Sequence, residues 1–210
     1  VVIGTRTEGR SALDSPAPVD VIGGETMSNQ GDTDMSNLLR NVVPSYNVND
    51  QPISDAATLV RPANLRGLAP DHTLMLVNGK RRHRASVITW LGNGISNGSQ
   101  GPDAAAIPAL ALKRIEVLRD GASAQYGSDA IAGVMNFVLN DAREGGSVEV
   151  RYGEYKEGDG EQVTIAGNIG LPLGDSGFLN LTAEWGESDP TSRSEQRADA
   201  QGLIDDGYQN

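Results

Sequence analysis

The chain has 210 residues, no cysteine and a net charge of −11. Lacking cysteine, it holds no disulfide and no thiolate metal site, and no apolar run approaches the length of a membrane helix. The charge is uneven, −2 over residues 1–145 and −9 over residues 146–210, which predicts two architectures and a second half that repels a phosphate backbone.

The opening VVIGTR and the polar final stretch read as cuts from a longer chain. Residues 1–15 are mostly polar and read as a flexible N-terminal segment. PVDVIGG then predicts a short strand with Val19 and Val21 on one face. GETMSNQGDTDMSNLLRNV predicts two short helices. Asp34 is placed to cap the second, in which Met35, Leu38, Leu39 and Val42 recur at helical spacing until Pro44 stops it. Residues 47–58 read as loop and NLRGL as a short extended piece. HTLMLVNGKRR is a strand closed by the turn signal Asn78-Gly79. A Gly-, Asn- and Ser-rich loop follows, of a length that is functional or disordered in compact domains. PDAAAIPALALKRIEVLRDG predicts a helical turn and a strand that buries Ile115, Val117 and Leu118. ASAQYG predicts one helical turn and GVMNFVLN a last strand. Short strands mixed with short helices predict an α+β domain over residues 16–144.

After Gly145 the sequence alternates strictly. Val148, Val150 and Tyr152 oppose Glu149 and Arg151. Val163, Ile165, Ile169 and Leu171 oppose Gln162, Thr164, Ala166 and Asn168. Leu179, Leu181, Ala183 and Trp185 oppose Asn180, Thr182 and Glu184. Two architectures fit this meander: an antiparallel sheet with one face on a soluble core, or the start of a transmembrane barrel with lipid outside and polar contents inside. Tyr152, Tyr155 and Trp185 sit near strand ends, where an aromatic girdle belongs.

Chemistry is scarce. His72 and His83 have no paired ligand spacing, so no metal site is expected. No nucleophile elbow, Walker loop or Gly-x-Gly-x-x-Gly is present, and no enzyme is expected. Glu116 and Asp120 read as a salt bridge or turn cap near a strand end. Lys80–Arg84, KRRHR, is the one basic cluster. It reads as a solvated loop or a contact for an acidic surface, since Trp90 alone is thin support for nucleic acid.

The stretch IEVLRDGASAQYGSDAIAGVMNFVL, Ile115–Leu139, resembles the closing segment of the plug domain of TonB-dependent outer-membrane receptors. It departs from that pattern at Asp120-Gly121, where Gly-Pro is common, and at Ala132, where Gly is common. SPAPVDVI, LLRNVVPSYNV, NLRGL and HTLMLVNGKR resemble further plug elements in order, so the resemblance covers about residues 17–140. It implies a small mixed sheet with short helices that fills a 22-stranded barrel, whose first strands and loops are residues 145–210. It implies a place in the outer membrane of a Gram-negative bacterium, with the N-terminus periplasmic. It also implies uptake of a scarce nutrient such as a ferric siderophore, with no cofactor. Cobalamin or an oligosaccharide is the alternative within the family, and a soluble carbohydrate- or protein-binding module outside it.

The resemblance also implies roles. Val1, Val2 and Ile3 look like the trailing part of a TonB box, which adds as a strand to the TonB C-terminal domain, with ExbB–ExbD behind it. Arg66 and Arg119 are implied to meet barrel carboxylates such as Glu149 and Glu184. The loops at residues 67–72 and 81–101 are implied to meet ligand, with His83, Trp90, Asn93, Asn97 and Gln100 as candidates. Gly121 and Gly127 are expected to reverse the backbone, Gly133 to allow close packing, and Tyr126 to anchor the turn by burial. Three wall strands without the rest of their barrel expose apolar faces and edges, which predicts disorder, pairing with another chain or an altered fold there.

Overall fold

A computed structural model describes residue 3 and residues 19–32, 34–48, 60–89, 94–119, 122–191, 193, 195 and 200–207. In chain order its elements are β1 (Val19–Gly23), α1 (Gly24–Ser28), α2 (Met35–Val42), β2 (Tyr46–Val48), β3 (Ala63–Leu65), β4 (Thr73–Val77) and β5 (Lys80–Arg81). There follow β6 (Leu112–Leu118), α3 (Ser123–Tyr126), β7 (Gly133–Leu139), β8 (Gly146–Gly153), β9 (Gln162–Leu173), β10 (Gly177–Ser188) and α4 (Ala200–Asp205). A five-stranded sheet runs in the order β1-β6-β7-β4-β5. It is mixed: β7 pairs parallel with β4, and every other pair is antiparallel.

Alternation along the two central strands builds two unequal cores. Ile115, Val117, Met135 and Phe137, all fully buried, point to the larger one, where Met27, Leu38, Leu39, Leu65 and Met75 pack on them. Leu74, Leu76, Leu118 and Val134 point the other way, into a small cluster closed by Ala130 and Ile3. Ile22 is the β1 residue in the larger core. Val19 packs against the smaller cluster while Val21 is 47% exposed, so the Val19/Val21 face expected from sequence lies on the smaller core's side of the sheet.

Helix α2 forms where its sequence predicts. Asp34 Oδ1 accepts from Ser36 N at 2.8 Å and Asn37 N at 3.1 Å, satisfying two of the unpaired amides of the first turn, a cap typically worth about 1 kcal/mol. Met35, Leu38 and Leu39 make its buried face, and Val43 turns extended before Pro44. The first two residues of the expected loop at 47–58 extend as the end of β2, paired to β3. That hairpin passes into a tight turn at Arg66-Gly67, φ 55° and 68°, the handedness that suits a two-residue reversal.

Gly127 sits at φ 93° just after α3, and Tyr126 is half-buried against the smaller core. A Cβ on Gly133 would lie 2.4 Å from the Leu118 carbonyl and 2.8 Å from Leu65 Cδ2. Only glycine lets β7 start this close to β6. Gly121 lies outside the described residues.

Strands β8, β9 and β10 form a separate antiparallel meander in unbroken register, with twelve residue pairs between β9 and β10. Against the expectation of an altered fold there, the three strands pair in regular order. Local hairpin pairing organises the strands although one face is bare, with Val148 78%, Val150 67% and Trp185 54% exposed. No described helix is long and apolar enough to cross a membrane, which says nothing of a β-barrel.

Candidate functional site

The inner face of the meander meets the α+β domain along a polar seam. Arg151 on β8 reaches across it. Its Nη2 donates to the Ser28 carbonyl at 2.8 Å, and its Nη1 donates to the Asp32 carbonyl. Both acceptors lie at the C-terminal end of α1 and in the loop after it, where helix carbonyls lack partners. Glu149 pairs with this arginine from the same strand. A second contact centres on Asn168 of β9, 8% exposed. Its Nδ2 lies 2.6 Å from Asn180 Oδ1 and 2.7 Å from Thr182 Oγ1, and its Oδ1 accepts from Asn140 Nδ2 at 3.3 Å.

The chain leaving β7 is strapped to the same face. Gly145 O accepts from Gly170 N at 2.9 Å, and Arg143 Nη2 donates to the carbonyls of Gly174 and Asp175 at 3.1 and 3.0 Å. A Cβ on Gly170 would lie 2.3 Å from the Ala142 carbonyl. Beside the seam a polar cavity of about 690 Å³ opens between Asp34 and Arg61 on one wall and Thr164 and Glu184 on the other. Arg61 pairs with Asp34 across its floor. Among the described residues no cluster of His, Asp or Glu is arranged to hold a metal ion.

The arginines and carboxylates named from the resemblance have these partners among the described residues. Arg119 pairs with Asp20 across β1 and β6, Nε to Oδ2 at 2.6 Å and Nη2 to Oδ1 at 3.0 Å. Arg66 is exposed in its turn, its amide donating to the Ser45 carbonyl at 2.8 Å. Glu149 binds a wall arginine, and Glu184 lines the cavity rather than meeting Arg66 or Arg119. The residue that sequence reasoning missed is Arg151. Its place on the polar face of an alternating strand was the available signal.

At one end of the sheet residues 67–72 meet residues 82–89 and 94–101. Gln100 N donates to Asp71 Oδ1 at 2.7 Å, its Nε2 donates to the Ala85 carbonyl at 2.8 Å, and a Cβ on Gly101 would meet Pro70 Cβ at 2.6 Å. Ser96, buried, hydrogen-bonds Asn64. Gln100 is thus committed to holding the loop pair, whereas His83 and Asn97 are exposed. Trp90 and Asn93 lie outside the described residues. The basic cluster folds onto the same end. Arg81 and Arg84 both pair with Asp129, and Arg82 Nε donates to the Asp103 carbonyl at 2.9 Å. Two of its four cations thus share one carboxylate of the domain.

At the N-terminus, Ile3 is 3% exposed within the smaller core, and its amide donates to Glu116 Oε2 at 3.2 Å. Val1 and Val2 lie outside the described residues. Glu116 itself is fully buried in mid-strand and pairs with Arg114, Nε to Oε1 at 2.9 Å. Asp120, its expected companion, lies outside the described residues. Tyr46 is the strongly shifted acid of the domain. Burial pushes its phenol well up, against a smaller pull downward from the Ser36 side chain nearby.

This chain is similar to the ferrienterobactin receptor of Escherichia coli K12, 29% identical over 183 residues, which are 83% of this chain and 24% of that protein. It is similar to the probable TonB-dependent siderophore receptor PirA of Acinetobacter baumannii, 30% identical over 67% of this chain and 19% of that protein. The crystal structure of the A. baumannii siderophore receptor PirA superposes with a TM-score of 0.60 at 26% identity, covering 81% of this chain and 24% of that one. The ferric enterobactin receptor of Pseudomonas aeruginosa, at 24% identity and a TM-score of 0.61, shows the same fold over 83% of this chain and 25% of its own. The chain therefore spans about a quarter or less of the length of these relatives. Residues 11–134 match the family model described as the TonB-dependent receptor plug domain, and the chain belongs to that family.

Proposed function

We propose that this chain is the plug, with the first three wall strands, of an active transporter that takes up a ferric siderophore across the outer membrane of a Gram-negative bacterium. The polar seam carries the reading. A sheet that turns Val148, Val150 and Trp185 outward and aims Arg151 and Asn168 at the plug has the polarity of a barrel wall closed on its contents. The remaining strands, to a total of 22, and the surrounding lipid complete that wall. A soluble binding module would need a cover for the apolar face, and no described residue supplies one.

The seam also suits a plug that has to move. Hydrogen bonds and ion pairs at a wet boundary exchange for water at little net cost, whereas a greasy interface of the same area would not. The loops at residues 67–72 and 81–101 form the surface that meets ligand, with exposed His83 and Asn97 offering donors and acceptors. The N-terminal segment, periplasmic in this reading, is the strand that the TonB C-terminal domain takes up, driven by ExbB–ExbD. Ile3 is buried in the form seen here, so that step requires its release.

Growth of a deletion strain on a panel of ferric siderophores, cobalamin and oligosaccharides tests the substrate. Loss of growth on one ferric siderophore as sole iron source, restored by the intact gene, is the expected result. Normal growth on every iron chelate, with loss on cobalamin or an oligosaccharide, overturns it.

A further inference from the structure

Glu116 is fully buried, and among the described residues it is the one charged side chain in the buried class. Burial of a charge is costly unless donors surround it. Three do. Arg114 Nε serves Oε1 at 2.9 Å, while Asn136 Nδ2 at 3.1 Å and the Ile3 amide at 3.2 Å serve Oε2. Two of these donors belong to the central strands β6 and β7. The third comes from a residue 113 positions away in sequence. Asn136 cannot turn to take over its share, because its Oδ1 accepts from Gly79 N at 2.9 Å. That bond fixes the amide with its donor side toward Glu116.

We propose that Glu116, oriented by Arg114 and Asn136, is the internal acceptor that latches the N-terminal segment to the plug at Ile3, and so controls when that segment is available to a partner. The face of the sheet is built for this. Glu116 and Asn136 stand next to the small apolar cluster of Leu74, Leu76, Leu118 and Val134, and Ile3 fills that cluster while its amide meets the carboxylate. One residue therefore makes an apolar and a polar contact at once. Release gives up both together and leaves Oε2 one donor short in a buried site. The coupling extends outward, because Gly79 lies in the turn between β4 and β5, from which the chain enters the loop at 82–101. A shift of that turn withdraws the Asn136 carbonyl from its donor and frees the amide to rotate away from Glu116. The latch rests on the transport reading for its purpose, but not for its existence.

The test uses the intact receptor in outer-membrane vesicles, with a single cysteine introduced as Val2→Cys and a charged maleimide as probe. Ile3→Pro removes the amide donor, Ile3→Ala removes most of the side chain but keeps the donor, and Glu116→Gln weakens the acceptor. Labelling is expected to quicken about tenfold or more in Ile3→Pro and Glu116→Gln, as loss of a hydrogen bond to a charged group implies. Ile3→Ala should quicken it less than Ile3→Pro. A cysteine at the exposed Ser123 position reports general loosening and is expected to label at an unchanged rate. If Glu116→Gln also quickens labelling at position 123, the Ile3→Pro against Ile3→Ala comparison decides alone. Equal rates for those two variants overturn the latch. Uptake is scored separately. A latch confirmed by labelling in a receptor that takes up no ferric siderophore would leave this inference standing and remove the transport reading.

Discussion

The plug sheet and the wall meander are both built from alternating strands, yet they spend the alternation differently. In β6 and β7 both faces are covered, so nearly every residue from Ile115 to Leu118 and from Gly133 to Phe137 is buried. In β8 and β10 neither face is closed by apolar packing. Val148 and Val150 are among the most exposed residues of the chain, while Glu149 and Arg151 are half-buried against the plug. The first sheet is held by its own core. The second is held by strand pairing and a handful of polar contacts, and its apolar surface stays exposed. Where a strand's apolar residues point matters more than how many it has.

Substitutions can break or sharpen this contrast. Phe137→Ala, in the larger core, should cost the plug about 3–5 kcal/mol, read as lost hydrogen-exchange protection of β6 and β7. A loss confined to β7 would show that the two central strands do not open as one unit. Val150→Arg should be nearly silent for the chain in water but cost about 2–4 kcal/mol in a bilayer, measured by urea unfolding from vesicles. Equal effects in the two media would mean that the face is not lipid-facing. Arg151→Met should leave the Ser28 and Asp32 carbonyls short of a donor and weaken the seam by about 1–3 kcal/mol. It should show as faster exchange at the end of α1, with β6 unchanged.

The smallest effect is expected at Lys113 and Asp141, exposed partners 2.7 Å apart. The lysine's hydrogen bond and charge hold the Asp141 carboxyl below its usual range, against a weak opposing effect of burial. A depressed carboxylate contributes stability above its unfolded pKa, and that contribution fades as pH falls through the folded value. Lys113→Met should therefore cost no more than about 0.5 kcal/mol near neutral pH. The difference from the parent should vanish in acid, as pH titration of the plug's unfolding midpoint would show.

What could be read from the sequence was local. The cap at Asp34, the turn at Asn78-Gly79, the alternation that buries Ile115 and Val117 and the single turn at α3 all follow from residues within a few positions of each other. The pairings that define the site are distant. Arg119 meets Asp20 across 99 positions, Ile3 meets Glu116 across 113, and Arg151 meets Ser28 across 123. Spacing carries no signal for such contacts, because the sheet order β1-β6-β7-β4-β5 sets them. Glu116 shows the limit well. Its neighbours in sequence suggest a strand-end salt bridge, and the bridge to Arg114 exists. Its burial comes only from strands laid on both sides of β6. The role of Arg151 escaped for the same reason, since either side of a polar seam can supply the cation.

The missing Cβ of Gly170 has a mechanical consequence. Because that position is bare, the chain leaving β7 lies directly on the wall, pinned by Gly145 to Gly170, by Asn140 to Asn168 and by Arg143 to the turn beyond. A stopper fastened at one corner swings. On the proposed transport reading, and so long as those bonds hold, a displaced plug would open first on its far side, along the edge where Arg151 grips the α1 loop, and leave a crescent rather than a ring.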